Sequence, residues 1–185
     1  MTGTAGGGAE PDAPDLDVAD LFTRHTAGLL RYLSRRVSPA VAEDLVSQVF
    51  EIVVAAPGRY EPGRGTPKSW LYGIATHTLL AHFRATGRAW TATARLGVAS
   101  ADVTDPAGDV VERIDAEQRV EHLAAAIDDL APDDREALLL TAWTDLSATE
   151  IGAVLGIPPG TVRSRLHRAR TQLRSVDLQG TAHDH

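Results

Sequence analysis

Ser147 to Arg174, SATEIGAVLGIPPGTVRSRLHRARTQLR, is the stretch that decides how this chain is read. Ser147 with Glu150 three residues later is a capping box, so a helix is expected to begin there. Ile151, Val154 and Leu155 give that helix one apolar face. Gly156 provides a C-cap, and Pro158-Pro159-Gly160 prevents continuation. Thr161 is an N-cap candidate for a second helix, whose apolar residues Val162, Leu166, Ala169 and Leu173 recur with helical period. From Thr161 to Arg174 there are five arginines and no acid. A helix-turn-helix whose second helix carries only positive charge suits the major groove of DNA. With Val162 and Leu166 buried, Arg163, Ser164, His167 and Arg168 fall on the opposite side, near the end of the helix that reaches base edges. Arg165, Arg170 and Arg174 lie on the flanks and are expected to meet phosphate.

The 185 residues have a net charge of −7, unusual for a DNA binder until the charge is divided along the chain. Residues 97–134 hold eleven acids against two arginines, a balance of −9, and residues 1–20 add five acids and no base. Residues 21–96 hold ten bases and four acids, a balance of +6. No acid occurs from Pro62 through Ala101, where Arg64, Lys68, Arg84, Arg88 and Arg95 lie. Two basic blocks flank an acidic middle, and this segregation carries more information than the total.

The absence of cysteine excludes a disulfide framework, a thiolate nucleophile and the usual zinc ribbons. No apolar run is long enough to span a bilayer, and the first residues lack the pattern of a secretory signal, so no membrane insertion and a cytoplasmic location are expected. No glycine-rich phosphate loop, nucleophile elbow or His-Glu-x-x-His pattern is present. Asp44 and Glu51 share a helix face but lack a histidine or third carboxylate at ligand spacing. The chain is therefore read as a non-enzyme without metal or cofactor.

Almost everything outside the termini reads as helix. A first helix is expected over 20–37, with Leu21, Leu29, Leu30 and Leu33 among its apolar residues. Ser38-Pro39 opens a second helix to about Ala56, with the stripe Val41, Leu45, Val49, Ile52 and Val53. Pro57-Gly58 and Glu61 to Gly65 form a loop, and Thr66-Pro67 starts a third helix to about Thr86. Further helices are expected over 116–130 and 132–143, the latter with Asp133 and Asp134 at its N-terminus. The fold class is all-α: two small helical domains joined by an extended acidic linker. The boundaries are a tail over 1–17, a first domain over 18–91, a linker over 92–115, a second domain over 116–176 and a tail over 177–185.

Four ordered motifs carry a family resemblance: EDLVSQVF (43–50), WLYGIA (70–75), LAPDDRE (130–136) and GTVRSRLHRAR (160–170). Together they resemble a bacterial RNA polymerase sigma factor of the extracytoplasmic-function group, over roughly residues 20–175. The resemblance implies a sigma-two-like domain that docks on the polymerase clamp and opens the minus-ten element. It also implies a sigma-four-like domain that binds the minus-thirty-five element as duplex and touches the polymerase flap, with an anti-sigma factor as a further partner. On this reading Asp44, Ser47, Gln48, Phe50 and Glu51 bind core polymerase. Tyr60, Arg64, Lys68, Tyr72, His77, Arg84 and Arg88 capture the melted minus-ten strand, because such a site needs a close-approaching loop, flat side chains and unopposed cations. Three positions depart from the family pattern: Ser47-Gln48 replaces glutamine then acid, His77 replaces a common asparagine, and the end of the melting helix is less basic. The competing reading is a stand-alone helix-turn-helix regulator that does not bind the polymerase core.

Overall fold

The computed structural model describes residues 16–87 and 120–180, with side chains to residue 175. The described residues form seven α-helices and two short 3-10 turns, with no strand among them. Helix α1 is Val18–Ser34, α2 Pro39–Ala55 and α3 Pro67–Thr86; residues 120–128 form α4. Helices α5 (Pro132–Trp143), α6 (Ala148–Leu155) and α7 (Pro159–Gly180) complete the chain.

Local chemistry sets most of the boundaries. The Asp17 carboxylate accepts the Asp20 N–H at 3.0 Å, so α1 begins ahead of the Asp20 start expected from periodicity. It also ends sooner, at Ser34 rather than Val37. Thr66 caps α3 through the Ser69 N–H, and Gly87 ends it in the left-handed conformation. Ser38 occupies the α2 cap position without a side-chain hydrogen bond, leaving the Pro39 ring to preset the first turn.

Helices α1, α2 and α3 pack on one another around Leu29, Tyr32, Leu33, Leu45, Val49, Val53, Leu71 and Leu79, all fully buried. Three assignments on α2 change. Ile52 is exposed, while Val46 and Phe50 are buried in its place. In the second half α7 lies against α5 and α6, burying Val162, Leu166 and Ala169. Arg135 ties α5 to the end of α4 by donating to the carbonyls of Asp128 at 2.7 Å and Leu130 at 3.1 Å.

The two halves are not separate in space. Helix α6 packs on α3, and one apolar cluster runs from Leu29 and Leu71 through Leu140, Ile151 and Val162. The linker expected over 92–115 and both terminal tails lie outside the described residues, apart from the few positions already named.

Candidate nucleic-acid interface

The helix-turn-helix is built as its sequence dictates, with one shift. The Ser147 N–H donates to the Glu150 carboxylate at 2.9 Å while the Glu150 N–H donates to the Ser147 hydroxyl at 3.3 Å, closing the capping box. Burial pushes the Glu150 carboxyl up, but the Ser147 N–H, the Ser147 and Thr66 hydroxyls and the Lys68 charge outweigh it. The net effect is a carboxyl held below its usual range. Gly156 ends α6 with φ 66°, and the Ile157 N–H returns to the Gly152 carbonyl at 2.9 Å. A Cβ on Gly152 would come within 2.7 Å of the Ile157 carbonyl oxygen, so this turn needs glycine there. The second helix starts at Pro159, two residues before the expected Thr161 cap. The Thr161 and Val162 N–H groups both donate to the Pro158 carbonyl, and a proline at the first position loses no helical bond.

On α7, Arg163, Ser164, His167, Arg170 and Arg174 are exposed, as expected. Arg168 is exposed too, with 58% of its side chain accessible, but it is paired, and Arg165 is placed differently. The Arg165 side chain is only 16% exposed and donates to Asp133 at 2.6 Å. The Arg168 guanidinium grips Asp134 with bonds of 2.9 and 2.6 Å. The two acids at the start of α5 thus serve α7 as well as their own helix end. Sequence spacing could not reveal that pairing, because the partners lie over thirty residues apart.

Around the second basic block, Arg64, His77 and Arg84 are exposed. Arg64 pairs loosely with Glu61 at 3.5 Å, and His77 Nδ1 is 2.7 Å from the Gly73 carbonyl oxygen. Lys68 is half-buried and donates to the Asp145 carbonyl at 3.3 Å. Tyr60 is half-buried with its ring tilted on Trp70 at 5.7 Å, and its hydroxyl donates to the Gly65 carbonyl at 3.1 Å. Tyr60 therefore braces the loop while staying partly exposed. Tyr72 does not belong to this surface. It is 4% exposed and packs edge-on against Tyr32 at 5.6 Å, so no base can stack on it. The α3 face that carries Tyr72 turns toward α1. Arg88 lies outside the described residues.

On α2, Asp44, Ser47, Gln48 and Glu51 form one exposed polar face. Phe50 is not part of it, being 7% exposed and packed edge-on against Phe22 at 4.8 Å. The exposed aromatic beside this face is instead Phe22, at 52%. Its sequence signal is an apolar residue lying off the α1 stripe. Among the described residues no cluster of acids and histidines could hold a metal ion, and no helix is long and apolar enough to cross a membrane.

Comparison with known proteins matches these two halves in order. Residues 21–89 match the Sigma-70 region 2 family and residues 121–173 match the Sigma-70, region 4 family. The RNA polymerase sigma factor CarQ of Myxococcus xanthus is 37% identical over 159 residues, which cover 85% of this chain and 87% of CarQ. The ECF RNA polymerase sigma factor SigC of Mycobacterium tuberculosis is 39% identical over 132 residues, covering 71% of this chain and 68% of the relative. Two solved structures share the fold at a TM-score of 0.57. One is CnrH in complex with the cytosolic domain of CnrY, at 22% identity and 86% coverage of each chain. The other is the sigma factor RpoE in complex with the anti-sigma factor NepR from Bartonella quintana, at 23% identity, covering 86% of this chain and 96% of that one. The exposed arginine helix, the polar α2 face and these matches agree: the chain belongs to the extracytoplasmic-function group of RNA polymerase sigma factors, which bind core polymerase and promoter DNA and direct promoter-specific transcription.

Proposed function

We propose that this chain engages its promoter at two places and the polymerase at a third, through the surfaces described above. The α7 face formed by Arg163, Ser164 and His167 reads the minus-thirty-five element as duplex, with Arg170 and Arg174 on phosphates. Arg165 and Arg168 are oriented by Asp133 and Asp134 and support that helix from the side. The loop and helix carrying Tyr60, Arg64, Lys68, His77 and Arg84, continued by Arg88, hold the melted minus-ten strand. The α2 face of Asp44, Ser47, Gln48 and Glu51, bordered by Phe22, docks on the polymerase clamp, and residues 116–176 touch the flap. The working units are a sigma-two-like domain over 18–91 and a sigma-four-like domain over 116–176, joined by residues 92–115. The protein is a binding factor, not a catalyst, and acts in the cytoplasm, where polymerase and DNA are. An anti-sigma factor is its negative partner, as NepR is for the matched RpoE.

The observation that carries this reading is the pair of separated polar surfaces, on α7 and α2, each backed by a buried apolar stripe. The test is transcription from genomic fragments by core polymerase with and without the chain. Promoter-specific starts are expected only in its presence. Asp44→Arg with Gln48→Arg should abolish both the starts and co-purification with polymerase. Arg64→Ala with His77→Ala should leave polymerase binding intact and remove permanganate-reactive thymines near the start. Duplex binding without any polymerase-dependent start would favour the stand-alone regulator instead.

A further inference from the structure

The start of α5 sets two acids, Asp133 and Asp134, against two arginines of α7, and the two pairs are unlike. Asp133 is exposed and holds Arg165, whose side chain is largely covered. Asp134 is the reverse: it is buried, with 10% of its side chain accessible, and the Arg168 it holds keeps 58%. A buried carboxylate must find its bonds inside the protein, so Arg168 has a fixed seat on Asp134. Helix α7 turns about 100° per residue, which puts Arg168 about 40° round from Ser164 and Arg165 about 100° round. The buried stripe Val162, Leu166 and Ala169 lies on the far side. Arg168 therefore shares the outward face with Ser164 and His167, and Arg165 does not.

The contact takes one edge of the guanidinium. Arg168 Nε donates to one Asp134 oxygen at 2.9 Å, and Nη2 donates to the other at 2.6 Å. A guanidinium carries its N–H groups in one plane, and this side-on contact leaves both on Nη1 and one on Nη2. Among the described residues Arg168 makes no other hydrogen bond. A parallel pair of N–H groups from Nη1 and Nη2 is what the O6 and N7 acceptors of guanine take in the major groove. Arg163 is exposed on the same helix but belongs to none of the ion pairs among the described residues. A free arginine loses rotamer freedom on docking, whereas one already seated loses less. The carboxylate also offsets the Arg168 charge, which makes that side chain a weaker partner for phosphate than for a neutral base edge.

Resting on the promoter reading above, we infer that Asp134 is a positioning residue that determines sequence specificity. Its carboxylate seats Arg168 so that the free edge of the guanidinium reads guanine at one base pair of the minus-thirty-five element. Asp134 touches no DNA and acts only through Arg168. Removing it should therefore trade sequence preference for general affinity. The neighbouring Asp133–Arg165 pair, turned away from the outward face, steadies the helix and reads nothing.

The test uses the full chain with core polymerase on promoters randomised across the minus-thirty-five element, with the bound members sequenced. The parent should prefer guanine at one base pair by about tenfold or more, as expected of a bidentate contact. Arg168→Ala should remove that preference and keep those owed to Arg163, Ser164 and His167. Asp134→Asn, nearly unchanged in shape, should cut it to about threefold or less. Mean affinity for the library should hold or rise in that variant, because Arg168 is then free to meet phosphate. Adding Asp134→Asn to Arg168→Ala should change the preference no further, and Asp133→Asn should leave it in place. If Asp134→Asn loses its helical circular dichroism, Asp134→Glu keeps the charge, moves the carboxylate by one methylene and should lose the same preference. A full guanine preference in every folded Asp134 variant would overturn the assignment, as would an Arg168→Ala variant that keeps every preference. A loss spread evenly over all base pairs would make Asp134 merely structural. A parent that selects an element without such a guanine overturns the role of Asp134 alone. A parent that selects no element and starts no transcript overturns the promoter reading, and this inference with it.

Discussion

The core of the first half and the seam between the halves share one apolar cluster, yet the seam adds polar ties that the core lacks. Between α1, α2 and α3 the fully buried side chains are mostly aliphatic: Leu29, Leu33, Leu45, Val49, Val53, Leu71 and Leu79. Across the seam the specific ties are Arg36 with Glu136, Thr66 with Glu150 and Lys68 with Asp145. Apolar area has no equivalent in water, so the first set of contacts is lost only by unfolding. Ion pairs and hydrogen bonds exchange for water at small net cost, so the second set orients the halves while the apolar cluster they share holds them together. The difference separates what holds the helices together from what orients the two halves.

The largest effect should come from the aliphatic core. Leu71→Ala removes a fully buried side chain from α3 and is expected to cost about 2–5 kcal/mol in denaturant unfolding. A loss below 1 kcal/mol would mean that the first half is loosely packed and that the contrast with the seam is false.

Next in size is Glu136→Ala. In a sealed interior, removing one partner of a buried pair costs about 3–5 kcal/mol, because the other charge is stranded. Here Glu136 is 19% exposed and Arg36 keeps the Tyr32 and Trp143 rings, so a smaller loss of about 2 kcal/mol is expected. The unfolding transition should also broaden as the halves uncouple. A loss in the sealed-interior range with a sharp transition would show that the seam behaves as core.

The smallest effect concerns pH. The Glu150 carboxyl is held below its usual value, so the unfolded chain binds the proton more tightly than the folded one. The stability this group contributes is therefore present above its unfolded pKa of 4.5 and is lost as pH falls through the lower, folded value. Acid unfolding should show a loss of stability in that window, and Glu150→Gln should remove the step. An identical acid profile in that variant would assign the loss to other carboxylates.

Much of the fold was legible because its signals are local. The Ser147–Glu150 box, the Thr66-Pro67 and Ser38-Pro39 starts, the Gly156 stop and the stripe Val162, Leu166, Ala169 each depend on residues within a turn or two. The exposure of Asp44, Ser47, Gln48, Arg163 and His167 followed from the same periodicity. What failed was the sorting of residues near the edge of a stripe. The sequence places Tyr72 and Phe50 on surfaces and Ile52 in the core, whereas the tertiary structure buries the first two and exposes the third. A helix turns about 100° per residue, so a flank residue is buried or not according to which neighbour arrives there, and the helix itself does not contain that information.

By itself, then, the sequence determined the helices, the Thr66 and Ser147 caps, the basic recognition helix and the family to which the chain belongs. Only the tertiary structure decided that Asp133 and Asp134 engage Arg165 and Arg168, and that Arg36 finds Glu136 a hundred residues away. The physical reason is range. Capping and periodicity act within a turn of backbone, whereas an ion pair requires only proximity in space, which depends on how whole helices pack.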